Sequence, residues 1–409
     1  MKKICFLVPS FPNVSETFVV NQLIASQKAG YDILVLTLTY LGVANSSQSE
    51  VLKKYNIDQV VRVLESGIPH NPIKRVLLNF YCLVKYARFI HQVKQASFYD
   101  RFLIFPFKFH YYEQFRDVSI FHAQFADSIF DLELLKSVGF LKGKLITTFH
   151  GYDAHFRDEA KRVTLAKKRY GAIHYSDYVT VNTPYLEDKV KALGCDSKKI
   201  QVIPMGVNLD FFIPQTHKQV FDGKRPLKLL SVGRLIELKG HQYAIDAVRL
   251  LKDWGFLVEY TIVGEGPLQA DLETHIKSLA LESIVHLVGQ KSQLELKDLY
   301  NSHDVFLMSS ITDARNRAEA QGLATAEAQA MKLAVVAFDC GGVPYTLIDG
   351  GSGFLVPEKQ VNLYAKAIQQ LIETPTLIET MGEAGRGFVS EEFSLALQTQ
   401  KMIALYDSL

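Results

Sequence analysis

Short apolar runs alternate with amphipathic stretches along nearly the whole chain. In the first half the runs are Lys3–Val8, Ile33–Thr39, Gln59–Leu64, Val118–His122, Lys144–Phe149, Tyr178–Asn182 and Gln201–Pro204. In the second they are Leu227–Val232, Leu257–Val263, Ile284–Val288, Val305–Met308, Ala334–Phe338 and Phe354–Val356. They are rich in β-branched residues and apolar on both faces, as in strands covered by helices on each side. Between them Lys239–Lys252, Pro267–Leu279 and Gln293–Ser302 repeat apolar residues at helical spacing. The alternation predicts an α/β protein with two Rossmann-like, doubly wound parallel sheets. Asp210–Arg225, with Pro214, Gly223 and polar neighbours, reads as the linker. The expected domains are therefore residues 1–208 and 209–390, with the tail 391–409, including a helix over Leu395–Tyr406, packing back on the first. Two such domains set the carboxyl ends of their strands across a cleft, where open α/β sheets bind ligands.

Composition narrows the class. Of the 409 residues 48% are hydrophobic and 22% charged, which excludes a disordered or collagen-like chain. No apolar run approaches the ~18–20 residues needed to cross a bilayer. The N-terminal Ile4-Cys5-Phe6-Leu7-Val8 stops at Pro9, short of a signal-peptide core, and reads as a buried first strand. Cys5, Cys82, Cys195 and Cys340 lie far apart with no CxxC, the pattern of reduced, buried thiols in a cytosolic protein.

The net charge of +2 hides an asymmetry: 27 basic against 18 acidic residues up to residue 208, then 18 against 25. A basic half suggests an anionic surface as partner. Residues 70–116 are its densest part, with Lys74, Arg75, Lys85, Arg88, Lys94, Arg101, Lys108 and Arg116 against Asp100 and Glu113, interleaved with aromatics. The segment reads either as an aromatic core under solvated lysines or as peripheral contact with an anionic membrane. The number of aromatics, beyond what one helix face buries, favours the membrane. No nucleic-acid motif accompanies them, and no nucleic-acid partner is expected.

Five segments after strands hold candidate chemistry. Ser231-Val232-Gly233-Arg234-Leu235-Ile236-Glu237-Leu238-Lys239-Gly240 combines a turn glycine with a guanidinium fork and an ammonium suited to a diphosphate. Val263-Gly264-Glu265-Gly266-Pro267 is either ordinary turn chemistry or a surface on which a base or ribose lies against backbone. Glu319 and Glu327 are separated by seven residues, with Gly322 and Leu323 opening a helix between them whose N–H groups suit phosphate. His150 and Asp153 follow Thr147-Thr148-Phe149, facing the cleft or buried and satisfied. Ser15, Glu16 and Thr17 follow the first strand, with Ser15 as a helix N-cap. No two aspartates stand two positions apart, and no GxxxxGK[ST], GxSxG or HExxH occurs. The inference is that Arg and Lys replace a divalent cation, with no metal and no cofactor besides the donor substrate.

Arg234 and Lys239 in a GRLxxxKG pattern, the GEGP at 264–267 and the EX7E pair Glu319/Glu327 together resemble retaining glycosyltransferase family 4, of GT-B fold. Gly206-Val207-Asn208, Gly341-Gly342-Val343-Pro344 and the segment Asp349–Val356 resemble its other segments. Ser15-Glu16-Thr17-Phe18 and His150-Gly151-Tyr152-Asp153 look like its bacterial exopolysaccharide members. The resemblance implies that Arg234 and Lys239 hold the nucleotide diphosphate, with Gly233 and Gly264 beside it, and that Glu327 binds ribose. It further implies that Glu319, backed by Gly322 and Leu323, and His150 touch the donor sugar, with Asp153, Ser15 and Glu16 lining the site. The family's reaction is taken as front-face attack, with the leaving phosphate as base. The resemblance thus implies a cytoplasmic enzyme, peripheral on the inner face of the plasma membrane, moving sugar from a nucleotide-diphosphate donor to a glycan or lipid-linked acceptor. Ala320 and Gln321 stand where the family often has Gly and an aromatic or aliphatic residue, and Met331-Lys332-Leu333-Ala334 where it has a small residue, Gly and Pro. These departures bear on donor-sugar identity. A GT-B sugar-nucleotide epimerase, which converts donor without acceptor, and a sugar-nucleotide-binding protein without activity are the competing readings.

Overall fold

A computed structural model describes residues 2–13, 17–46, 48–93, 96–215 and 221–409. Ser15, Glu16 and Lys94 lie outside the described residues. Each of the thirteen apolar runs contains a strand. The first sheet comprises β1 (Lys3–Phe11), β2 (Asp32–Tyr40), β3 (Val61–Val63), β4 (Ile120–Ala123), β5 (Lys144–Thr148), β6 (Tyr178–Val181) and β7 (Ile200–Val202), in the order β3-β2-β1-β4-β5-β6-β7. The second comprises β8 (Leu227–Val232), β9 (Val258–Val263), β10 (Val285–Leu287), β11 (Val305–Met308), β12 (Ala334–Asp339) and β13 (Gly353–Pro357), in the order β10-β9-β8-β11-β12-β13. All pairings are parallel, as the crossover helices require.

Burial explains the unbroken apolar runs. Along β1, Ile4, Phe6 and Val8 enter one core and Cys5 and Leu7 the core on the opposite face. In the second sheet Val305 and Leu307 face one layer, Phe306 and Met308 the other. The four cysteines are buried and unpaired. β1 runs three residues past its apolar pattern because Ser10 and Phe11 pair with Thr39 and Tyr40. Lys332, in the segment that departs from the family pattern, adopts a left-handed backbone (φ 60°), and its ammonium reaches Glu383 at 2.5 Å.

The chain passes between the domains twice, and the passages touch. Val207 pairs with Ser394, and the Gly206 N–H donates to Gln398 Oε1 at 2.9 Å. Beyond Ser394 the helix Leu395–Asp407 buries Met402, Leu405 and Tyr406 in the core that holds Phe6 and Val8. The Tyr406 hydroxyl sits 2.6 Å from His122 Nδ1 and accepts from Gln22 Nε2 at 2.8 Å, which ties this helix to the centre of the first sheet.

Residues 70–116 fold as helices Pro72–Lys85, Ala87–Gln92 and Phe105–Tyr112 with short turns. Asn71 caps the first by accepting from the N–H groups of Ile73 and Lys74. Many of the aromatics are core: Tyr86, Phe107, Phe109, Tyr112 and Phe115 are buried, and Phe140 packs edge-on against Tyr86 and Phe89. The aromatic surplus that favoured a membrane is thus largely absorbed by the first domain, which collects these rings from several elements. What is exposed is one face of the helix Pro72–Lys85, mostly aliphatic but including Phe80 and Tyr81, with Phe98 and Tyr99 in the segment that follows. Among the described residues no helix is long and apolar enough to cross a membrane.

Candidate active site

The loops after β8, β9 and β11 meet at the carboxyl end of the second sheet. Lys239 lies on a single helical turn, Glu237–Lys239, before Gly240; the long helix begins at His241, just beyond the expected start. Its Nζ donates to Glu319 Oε2 at 2.5 Å, both side chains being 17% exposed. Ser310 Oγ, just past β11, donates to the same oxygen at 3.3 Å, and Ser309 Oγ donates to the Lys239 carbonyl at 3.0 Å. The clamp lysine and the loop glutamate, 80 residues apart, form one site. The stem of Lys239 lies over Gly233, where a β-carbon would sit 3.2 Å from Cδ. Arg234 is exposed on the same loop, and among the described residues its guanidinium makes no hydrogen bond or ion pair.

Of the two readings open for Gly264, the turn role has a direct structural basis. Its φ is +141°, and a β-carbon there would lie 2.0 Å from the Gly233 carbonyl oxygen. The missing side chain admits the clamp loop, and Gly266 does the same against Leu235.

The Glu319 loop is held from behind by the turn at 341–342, where the Gly342 N–H donates to the Glu319 carbonyl at 2.7 Å. Gly322, left-handed at φ +83°, caps the helix Leu323–Ala330. Among the described residues the first N–H groups of this helix, at Leu323 and Ala324, have no protein acceptor. Glu327 lies in its second turn and accepts from the Tyr300 hydroxyl at 3.1 Å. Burial pushes its carboxyl up to about 7, against the lowering effect of the Tyr300 hydrogen bond.

In the first domain His150 follows β5 and lies between the rings of Phe18 and Phe125, at centroid distances of 4.4 and 4.9 Å. Among the described residues neither buried ring nitrogen has a well-formed hydrogen bond, and burial drives the imidazole down to about 3 against the raising influence of the Gln124 backbone, so it is neutral. Asp153 is a correction. It is fully buried; Oδ1 accepts from the N–H groups of His150 and Gly151 at 3.1 Å each, and Oδ2 from Ala126 at 3.2 Å. Its carboxylate is spent on shaping the His150 loop and does not line the site.

Several residues that close the cleft have no signature in the chain. Thr183 Oγ1 donates to the Ala320 carbonyl at 2.7 Å, and Asn316 Nδ2 donates to Phe156 O at 3.0 Å. The Gln321 amide bonds both backbone groups of Met205, at 2.8 and 2.9 Å, and is fully buried. Ala320 packs within the first domain's core, its β-carbon taking the space that a side chain at Gly151 would need. The two departures beside Glu319 thus face the interdomain contact. Gln321→Leu leaves two backbone groups buried without partners, and is expected to cost about 1–3 kcal/mol in denaturant unfolding, while Gln321→Glu retains the acceptor half. Equal stability of wild type and Gln321→Leu would contradict this role.

Two facing Rossmann-like sheets with a Lys–Glu pair and an exposed arginine at the inner strand ends define a GT-B glycosyltransferase. Residues 15–211 match the family model for Glycosyltransferase Family 4, and residues 213–388 match that for Glycosyl transferases group 1. The chain belongs to this glycosyltransferase family. It is 29% identical over 417 residues to the putative colanic acid biosynthesis glycosyltransferase WcaL of Salmonella typhimurium, covering 100% of both chains. It is 28% identical over 415 residues to the amylovoran biosynthesis glycosyltransferase AmsK of Erwinia amylovora, again over 100% of both. Among solved structures, Anabaena Alr3699/HepE in complex with UDP superposes with a TM-score of 0.75 over 100% of both chains at 17% identity, a likeness of fold.

Proposed function

We propose that this glycosyltransferase builds a bacterial surface polysaccharide, transferring sugar from a nucleoside-diphosphate donor with retention and without a metal or other cofactor. The second domain takes the donor, and the first takes a glycan or lipid-linked glycan. The enzyme works as a peripheral protein on the cytoplasmic face of the plasma membrane. The observation that carries this reading is the Lys239–Glu319 pair at the carboxyl ends of β8 and β11.

Transfer separates a diphosphate from the anomeric carbon, so negative charge grows on the leaving oxygen. Lys239 and Arg234 oppose that charge, and the open N–H groups of Leu323 and Ala324 add donors. Glu319, held by Lys239 and Ser310, meets the sugar, Glu327 accepts from ribose hydroxyls, and neutral His150 reaches a sugar hydroxyl from the other domain. The overlap with relatives that serve colanic acid and amylovoran biosynthesis supports a polysaccharide product.

A thermal-shift panel of UDP-, GDP- and dTDP-sugars tests the donor. The cognate one stabilises by ~2.7 kcal/mol at 100 times its Kd. The shift is expected to shrink in Lys239→Ala. A panel in which no sugar nucleotide moves the melting curve, with no transfer observed, would discard the reading. Isomerised donor in the absence of acceptor would favour an epimerase.

A further inference from the structure

The most anomalous surface of the molecule is one face of the helix Pro72–Lys85. Ile73, Val76, Leu77, Phe80 and Val84 are 66–71% exposed, and Tyr81 adjoins them at 50%. Their spacing puts all six on one stripe, opposite the buried Cys82 and Tyr86. An ordinary surface helix turns its polar face outward, whereas this one shows solvent a stripe without a single charge. The helix is rigidly presented: Asn71 caps it, Tyr86 donates to Glu113 at 2.7 Å, and Cys82, Tyr86 and Ile90 anchor it to the aromatic core. The next segment adds exposed Phe98, Tyr99 and Leu103.

Charge identifies the occupant. From residue 66 to 99 there is no acidic residue, whereas Lys74, Arg75, Lys85, Arg88 and Lys94 are basic. Lys74, Arg75 and Arg88 are exposed, and Glu113, which pairs with Lys85, comes from another helix. A second copy docking face to face would set these like charges against each other. An anionic bilayer satisfies both features, taking the apolar stripe among its acyl chains and the basic groups at its headgroups.

We infer that the Pro72–Lys85 helix is the membrane-docking element, lying in the plane of an anionic lipid surface with Ile73, Val76, Leu77, Phe80 and Val84 inserted and Lys74, Arg75 and Arg88 at the headgroups. This rests on the proposed peripheral membrane enzyme for its purpose, but its test does not depend on transfer.

The full chain is floated with vesicles of phosphatidylcholine alone and of phosphatidylcholine with 30% phosphatidylglycerol. At least ten-fold stronger binding to the anionic vesicles is expected, weakening with salt. Leu77→Asp/Phe80→Asp is expected to lose at least ten-fold of that binding with an unchanged melting temperature; these residues are on the surface, so the fold does not depend on them. Lys74→Glu/Arg75→Glu, which leaves the apolar stripe intact, is expected to abolish the preference for anionic lipid. Absence of flotation, equal binding to both vesicles, retention of binding in the aspartate variant, or a dimer that forms through this face in place of vesicle binding would each overturn the inference. A chain that floats but transfers no sugar sinks the proposed function alone; one that transfers sugar to a soluble acceptor but never floats sinks this inference alone.

Discussion

Lys239→Ala is expected to lower kcat for sugar transfer about 1,000-fold. Removing one preorganised donor to a developing oxyanion costs on the order of 100- to 1,000-fold. Here the loss is doubled in kind, since Glu319, deprived of the ammonium 2.5 Å away, faces the incoming diphosphate as an uncompensated carboxylate. Donor KM should therefore rise as well. Glu319→Gln removes that repulsion and should recover part of the donor affinity in a Lys239→Ala background, so the two substitutions should be non-additive in a double-mutant cycle. The fold should survive, because the pair keeps some contact with solvent and neither residue fills a core. Arg234→Ala should cost less, near ten-fold, since the guanidinium is exposed and screened by solvent. Unchanged turnover in both lysine and arginine variants would remove the clamp from the mechanism.

Glu327→Gln is expected to remove a pH dependence from both stability and donor binding. The folded-state carboxyl, pushed up to about 7 from an ordinary 4.5, binds a proton more tightly than in the unfolded chain. Its contribution to stability is therefore full below about pH 4.5 and is lost as pH rises through 7. The loss amounts to ~3 kcal/mol at most, at 1.36 kcal/mol per unit. Glutamine does not titrate, so the variant should gain on wild type in urea unfolding at pH 8 and not at pH 5. Donor binding runs the other way. The ionised carboxylate is the form that accepts from ribose hydroxyls, so wild-type affinity should rise from pH 6 to pH 8 with uptake of donor releasing a proton, whereas the variant should bind about ten-fold more weakly with a flat profile. A pH-independent wild-type Kd, measured by calorimetry in two buffers of different ionisation enthalpy, would refute the assignment of Glu327 to ribose.

The thirteen strands were legible because a strand buried on both faces needs apolar residues at every position, a requirement that each short run displays by itself. The Arg234–Lys239 and Glu319–Glu327 segments were legible because each places its residue types within a few residues of one another after a strand, the second running from a loop into a helix. Asp153 and Gly264 were legible as special, but what each packs against was not. A carboxylate that accepts from two N–H groups of its own loop and one of the loop after β4, and a glycine that admits a neighbouring carbonyl, look in sequence like residues that bind a ligand. The residues 70–116 show the converse. Counting aromatics pointed to this region, yet many of their rings are core, and the exposed stripe is mostly aliphatic, with Phe80 and Tyr81 in it.

By itself the chain's pattern of apolar runs and turn residues determined two doubly wound parallel sheets and the strand ends that bear the chemistry, while the motifs around Arg234–Lys239, Gly264 and Glu319–Glu327 carried the resemblance to the glycosyltransferase family. Those properties are local or periodic, and each is written within a dozen residues. Only the tertiary structure decided that Lys239 meets Glu319, that Gln321 and Thr183 fasten the cleft, that the ring of His150 lies between Phe18 and Phe125, and that one face of Pro72–Lys85 is left exposed among the described residues. These depend on which distant segments the folded sheets bring within a few ångströms, and on how much apolar surface the core has already enclosed.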